Sequence, residues 1–169
     1  MAIKKAKYVV GAFFLIVVLG FAYYTISPLF ISIKADEALP SREVEDSDTA
    51  PVTILKDEAE VPIAKPLVAT VIDTSAHPAT GTVRVVEENG KTYVRYENYK
   101  TINGPDIFVY LAKDIDAQEF VNLGRVKATE GNINYEVPDG VNVSEYPYVL
   151  TWCKQFGVLF NYADFSETR

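Results

Sequence analysis

The chain has 169 residues, enough for one compact domain with accessories, and a formal net charge of -7. That charge argues against nucleic acid as a partner, because phosphates call for basic patches. One Cys rules out an intrachain disulfide, and one His with a single Met, the initiator, rules out most metal and haem sites.

Residues 1–7 form a basic N-terminus carrying Lys4, Lys5 and Lys7, and residues 8–33 carry no charge. A helix needs about 20 apolar residues to cross the hydrocarbon core. Residues 8–27 supply that length before Pro28 interrupts them, and Tyr23 and Tyr24 fall near the far interface, where aromatic rings prefer to sit. A cleaved signal peptide has a shorter core of about 7–15 apolar residues. The expectation is therefore an uncleaved, single-pass cell-membrane anchor over residues 8–33. The lysines ahead of it predict a cytoplasmic N-terminus and an extracytoplasmic C-terminal domain. No Cys follows the span to receive a lipid, and Gly11 and Gly20 lack the four-residue spacing of a dimerising helix.

Residues 34–67 change character. Acidic side chains dominate, Pro40, Pro51, Pro62 and Pro66 punctuate the run, and aromatics are absent. Such a segment buries too little apolar area to offset its ordering entropy, so it reads as an extended, self-repelling linker between membrane and domain.

Residues 68–169 read as a β domain. Asn89-Gly90 between two β-rich runs predicts a two-residue hairpin turn. The implied register pairs Val85 with Val94 and Val83 with Tyr96 on one face, and sets Arg84 against Arg95, a like-charge pair. Further strands are expected over residues 107–112, 124–128, 133–137, 149–153 and 158–162, with residues 114–121 as the one short helical candidate. Short strands with regular turn signals indicate an all-β antiparallel sandwich or barrel.

The rarest residues of the chain lie together: Trp152 and Cys153, the only indole and the only thiol. On a strand that ends before the Lys154-Gln155 break, Cys153 is the candidate redox residue, and its position predicts partial exposure. Free cysteines are also among the most buried residue types, so core packing is the competing reading. Lys154 is a cation beside the thiol in sequence, but strand alternation sends it to the opposite face.

His77, in Ser75-Ala76-His77-Pro78, is a weak candidate metal ligand and reads first as an exposed or hydrogen-bonded loop imidazole. A blue-copper site needs a second His, and attached haem needs a second Cys with an adjacent His, so no metal and no cofactor is predicted. Asp114 and Asp116 lack an EF-hand pattern and read as solvated carboxylates. No Gly-x-Ser-x-Gly elbow supports a hydrolase. Asn142-Val143-Ser144 is a glycosylation sequon. The eleven tyrosines offer a hole-hopping route in principle, although packing accounts for most of them.

Several short motifs occur in an order that resembles the DM-thirteen domain family. They are His77 with Ala79-Thr80-Gly81-Thr82-Val83, and Asn103-Gly104-Pro105-Asp106 leading into Val109-Tyr110-Leu111. Gly131-Asn132-Ile133-Asn134-Tyr135 with Pro138 follows, and then Trp152-Cys153-Lys154 with Phe156, Phe160 and Ala163. The resemblance covers residues 70–165. It implies a small, extracytoplasmic, β-rich domain acting in electron transfer, a type often found near DOMON and membrane cytochrome domains. It further implies that the Cys of the Trp-Cys motif is the redox residue, here Cys153. Trp152, flanking it, is a candidate relay. Neither companion domain is recognisable in this chain, so a redox partner protein is expected in trans. The resulting expectation is a membrane-tethered redox module, an accessory more than a stand-alone enzyme. The alternative is a non-catalytic binding or adhesion domain in which Cys153 is structural.

Overall fold

The structure, a computed structural model, describes residues 2–40 and 67–167. Helix α1 (Ala2–Ile26) passes into a 3-10 turn, Ser27–Phe30. The regular helix ends where Pro28 brings a fixed φ and no N–H. The stretch Val10–Phe30 is long and apolar enough to cross a membrane, and none of it is buried within the protein.

Nine strands follow among the described residues. They are β1 (Lys34–Asp36), β2 (Val68–Asp73), β3 (Ala79–Glu88), β4 (Lys91–Thr101), β5 (Ile107–Ala112), β6 (Phe120–Arg125), β7 (Glu130–Glu136), β8 (Tyr148–Cys153) and β9 (Val158–Asp164). They form one sheet in the order β1-β7-β4-β3-β2-β9-β8-β5-β6, in which only β1 and β7 run parallel. The sheet curls into a half-barrel, so the expectation of an all-β sandwich or barrel holds. Alternate residues of β3, β4, β5, β7, β8 and β9 fill the inside of the curl, among them Val83, Val94, Ile133, Leu111, Val149 and Ala163.

The β3–β4 hairpin turns at Asn89 and Gly90, whose φ values of 54° and 75° are the positive pair that a type I′ turn requires. Its register matches Val83 with Tyr96 and Val85 with Val94, as the sequence predicts. Arg84 does face Arg95, and Glu97 reconciles them. Its Oε1 accepts from Arg84 Nη1 at 3.3 Å and from Arg95 Nε at 2.9 Å.

Two local expectations are corrected. Residues 114–121 are not helical: the Asp114 carboxylate accepts the backbone N–H groups of Asp116, Gln118 and Glu119, and Ala117 takes a positive φ of 52°. Those bonds fold the segment into a turn, and β6 begins at Phe120, ahead of the expected strand at residues 124–128.

The larger difference concerns residue 34 onward. Lys34–Asp36 is a strand on the domain, paired with Glu130, Gly131 and Asn132 of β7. Ile33 N–H donates to Thr129 Oγ1 at 3.0 Å, and Glu37 N–H donates to the Asn132 carbonyl at 2.8 Å. Arg95, only 5% exposed, reaches from β4 to hold the segment, donating from Nη1 to the Glu37 and Ala38 carbonyls at 3.0 and 3.2 Å. Gly131 (φ 118°) makes the approach possible, because a Cβ there would run into the Ala35 carbonyl. The acidic linker of residues 34–67 thus opens with a docked strand, and its stretch over residues 41–66 lies outside the described residues.

Candidate functional site

Strand alternation sends Thr151 and Cys153 of β8 into the curl and Trp152 outward. Cys153 is 1% exposed, in an apolar cluster with Ile107 of β5 and Phe160 of β9, flanked by Ile102 and Val126. The partial exposure expected of a strand end is therefore corrected. The neighbouring strands and the loop before β5 close over the thiol. Trp152 is half-buried on the outer face, packed around Tyr110, Ala112 and Leu150 with Phe108, Leu159 and Tyr162. The two neighbours in sequence thus occupy different clusters. Lys154 lies outside as expected: its N–H donates to the Asp106 carbonyl at 2.9 Å and its Nζ sits 5.5 Å from the Phe108 ring centroid.

His77, far from Cys153 in sequence, lies on the loop between β2 and β3 at the same end of the sheet. Its ring stacks on Phe160, with centroids 3.9 Å apart and planes 21° apart. The Thr74 hydroxyl donates to the Phe160 carbonyl at 2.9 Å and lies 2.9 Å from His77 Nδ1. A hydroxyl has one proton, and the carbonyl can only accept it. The Nδ1–H of neutral His77 must then donate to Thr74, which leaves the lone pair on Nε2. Desolvation lowers the His77 pKa from its ordinary value, so the neutral ring is favoured. Phe160 is therefore the common element, packed on Cys153 and stacked with His77.

Gly104 completes the enclosure. A Cβ at this position would stand 2.8 Å from Phe160 Cζ and 3.0 Å from Ile107 Cγ2, so only glycine admits the ring. In the same loop, the Asp106 carboxylate pairs with Arg125. The sequence motif around Gly104 signals a turn, and the structure adds its close approach to Phe160 and Ile107, the two buried residues clustered with Cys153. Thr74 carries no signal in the sequence.

Farther along β8, Thr151 anchors a buried polar layer. Its hydroxyl lies 3.3 Å from Tyr96 Oη and 3.0 Å from Tyr99 Oη. Tyr99 donates to Asn161 Oδ1 at 3.1 Å, and Asn161 Nδ2 donates to Thr101 Oγ1 at 3.0 Å. Desolvation raises both phenols above their ordinary value, so they stay protonated near neutrality. Tyr96 lies against Tyr99 and Tyr135, with ring centroids 4.5 and 5.8 Å apart. A second tyrosine pair, Tyr148 with Tyr162, lies on the outer face with ring centroids 6.3 Å apart.

The other sites named from sequence stay separate. Asp114 is occupied in capping its own turn, and Asn142 is exposed on the loop before β8, donating to Glu145 Oε1 at 3.1 Å. No group of three or more His, Cys, Asp or Glu side chains suited to a metal ion occurs among the described residues.

These features define a small curled β domain with one enclosed thiol, covered by a phenyl ring that carries an imidazole. Residues 71–165 match the family described as Electron transfer DM13, and the chain belongs to that family. The match begins within β2 and ends at Phe165, so α1 and β1 lie outside it. No curated protein and no solved structure matches the chain.

Proposed function

We propose that this protein is a membrane-tethered, extracytoplasmic electron-transfer module in which Cys153 is the working thiol. Family membership over residues 71–165 is the observation that carries this reading. Cys153 is the only residue of the chain able to form a disulfide with a partner, and the family-linked motifs of His77, Gly104 and Phe160 converge on its pocket. The apolar stretch Val10–Phe30 supplies the anchor, with the lysines ahead of it on the cytoplasmic side. The redox partner is a separate protein, and the module uses no cofactor of its own.

The chemistry is thiol–disulfide exchange. The Cys153 thiolate attacks a partner disulfide, a bond forms to one partner sulfur, and the other sulfur leaves as a thiolate that takes up the proton. A second thiol then attacks the mixed disulfide and releases Cys153 as a thiol. Because Cys153 is enclosed, the first step requires Phe160 and the His77 turn to move aside.

Burial at 1% exposure favours one competing reading, a binding domain in which Cys153 only packs. The full chain in detergent, equilibrated with reduced and oxidised glutathione under native conditions, separates the two. The proposal expects a mixed disulfide on Cys153 that rises with the oxidised share, is absent from Cys153→Ala, and leaves the fold intact. No adduct at any ratio would assign Cys153 to packing. Cys153→Ser is the poorer control, since a hydroxyl in this apolar cluster costs about 1–3 kcal/mol.

A further inference from the structure

The strand directions fix which end of the half-barrel faces the anchor. Only residues 31–33 separate the 3-10 turn Ser27–Phe30 from β1, so Lys34 lies at most about 14 Å from Phe30 even with the chain fully extended. β1 leads away from the span, and β7 runs parallel to it. Every later neighbour in the sheet is antiparallel, so directions alternate from strand to strand. The start of β9, the end of β8 and the start of β5 therefore lie on the same side as the start of β1. Cys153, Phe160 and Gly104 belong to that end, and Asn142 to the opposite one.

A second observation agrees. Tyr24 of α1 donates from its hydroxyl to Gln155 Oε1 at 3.2 Å, in the turn between β8 and β9. That turn exposes Phe156 at 47%, and Val158 at the start of β9 is exposed at 37%. Lys154 is exposed beside them. An aromatic ring with a flanking lysine, level with a tyrosine at the end of an apolar span, suits the headgroup region of a bilayer.

We propose that the Cys153 end of the half-barrel rests on the bilayer surface, with β1 holding the domain down and Phe156 inserted among the lipid headgroups. The proposal rests on the reading of Val10–Phe30 as a membrane anchor. It replaces a domain swinging on a long tether by one clamped to the membrane, with the acidic segment leaving β1 and returning to β2. The end of the half-barrel that encloses Cys153 then faces partner proteins held at the membrane.

Tryptophan emission in phosphatidylcholine vesicles tests this, using lipid brominated near the head of the acyl chain as the quencher. Three single-tryptophan forms of the full chain are compared in a Trp152→Phe background: Tyr24→Trp, Phe156→Trp and Asp139→Trp. If Trp152→Phe fails to fold, the same changes in the parent chain are read as quenching beyond that of Trp152. The proposal expects brominated lipid to remove a comparable share of emission from Tyr24→Trp and Phe156→Trp, and to leave Asp139→Trp unchanged. Quenching of Tyr24→Trp alone would overturn the docking while the anchor stands. No quenching of Tyr24→Trp would remove the anchor and the docking with it. Equal quenching of all three would contradict the orientation.

Discussion

Phe160 is the residue on which the site turns: it packs on Cys153, stacks with His77 and presses against Gly104. Aromatic packing of this kind is stiff, so the enclosure is sensitive to one added methyl. Gly104→Ala would place a carbon 2.8 Å from Phe160 Cζ, and the rigid ring must shift to admit it. Overpacking of a filled core costs about 1–3 kcal/mol. Denaturant unfolding of Gly104→Ala should show a loss of that size, and native Cys153 should react faster with a small thiol reagent. A variant with unchanged stability and unchanged thiol reactivity would mean that Gly104 does not shape the pocket.

At the scale of elements, β1 depends on long-range partners. Arg95 is buried, ties Glu97 and Asn134 together, and donates to two carbonyls of the β1 segment. Replacing it by Ala leaves those acceptors unmatched, at about 2–4 kcal/mol. Hydrogen exchange of Arg95→Ala should show loss of protection at Glu37 and Glu130, whose N–H groups bond across this edge, with the β3–β4 hairpin keeping its own. Protection unchanged at Glu37 would refute the role of Arg95. Acid should act in the same direction. Desolvation tends to raise the Glu97 pKa, but hydrogen bonds from Arg95 and Arg84 outweigh it and hold the carboxyl below its ordinary value. Its stabilising contribution is therefore complete above the ordinary carboxylate range and fades as pH falls through the depressed value.

The same elements show what the sequence can reveal. The β3–β4 hairpin was legible to the residue, because Asn89-Gly90 and its alternating flanks are local signals. Lys34–Asp36 has no strand pattern, and it pairs only because Gly131 and Arg95, far along the chain, make room for it and hold it. The turn after β5 reads as a short helical candidate because Asp114 capping is invisible to periodicity. For the site, Cys153 and His77 stood out by rarity and by family motif. That they share Phe160 depends on sheet order, which local patterns do not encode.

For the whole molecule, an N-terminal apolar helix, a strand that docks on β7 and a half-barrel of the electron transfer family are joined in one chain. The family domain carries the thiol, and in the proposed docking the parts outside the match set where the thiol faces. An enclosed thiol can still serve in exchange if its cover opens locally, because sub-global openings cost less than full unfolding. The central claim, that Cys153 works in the folded protein, is tested most directly by its kinetics. The full chain in vesicles is mixed with an aromatic disulfide reagent, and the rate of Cys153 modification is compared with exchange of the core amides of Val94 and Ile133, which report global opening. The account predicts modification well ahead of global opening, and faster still in His77→Ala, where the ring stacked on Phe160 is gone. Modification at the rate of global opening, unaltered by His77→Ala, would contradict it and leave Cys153 as a packing residue.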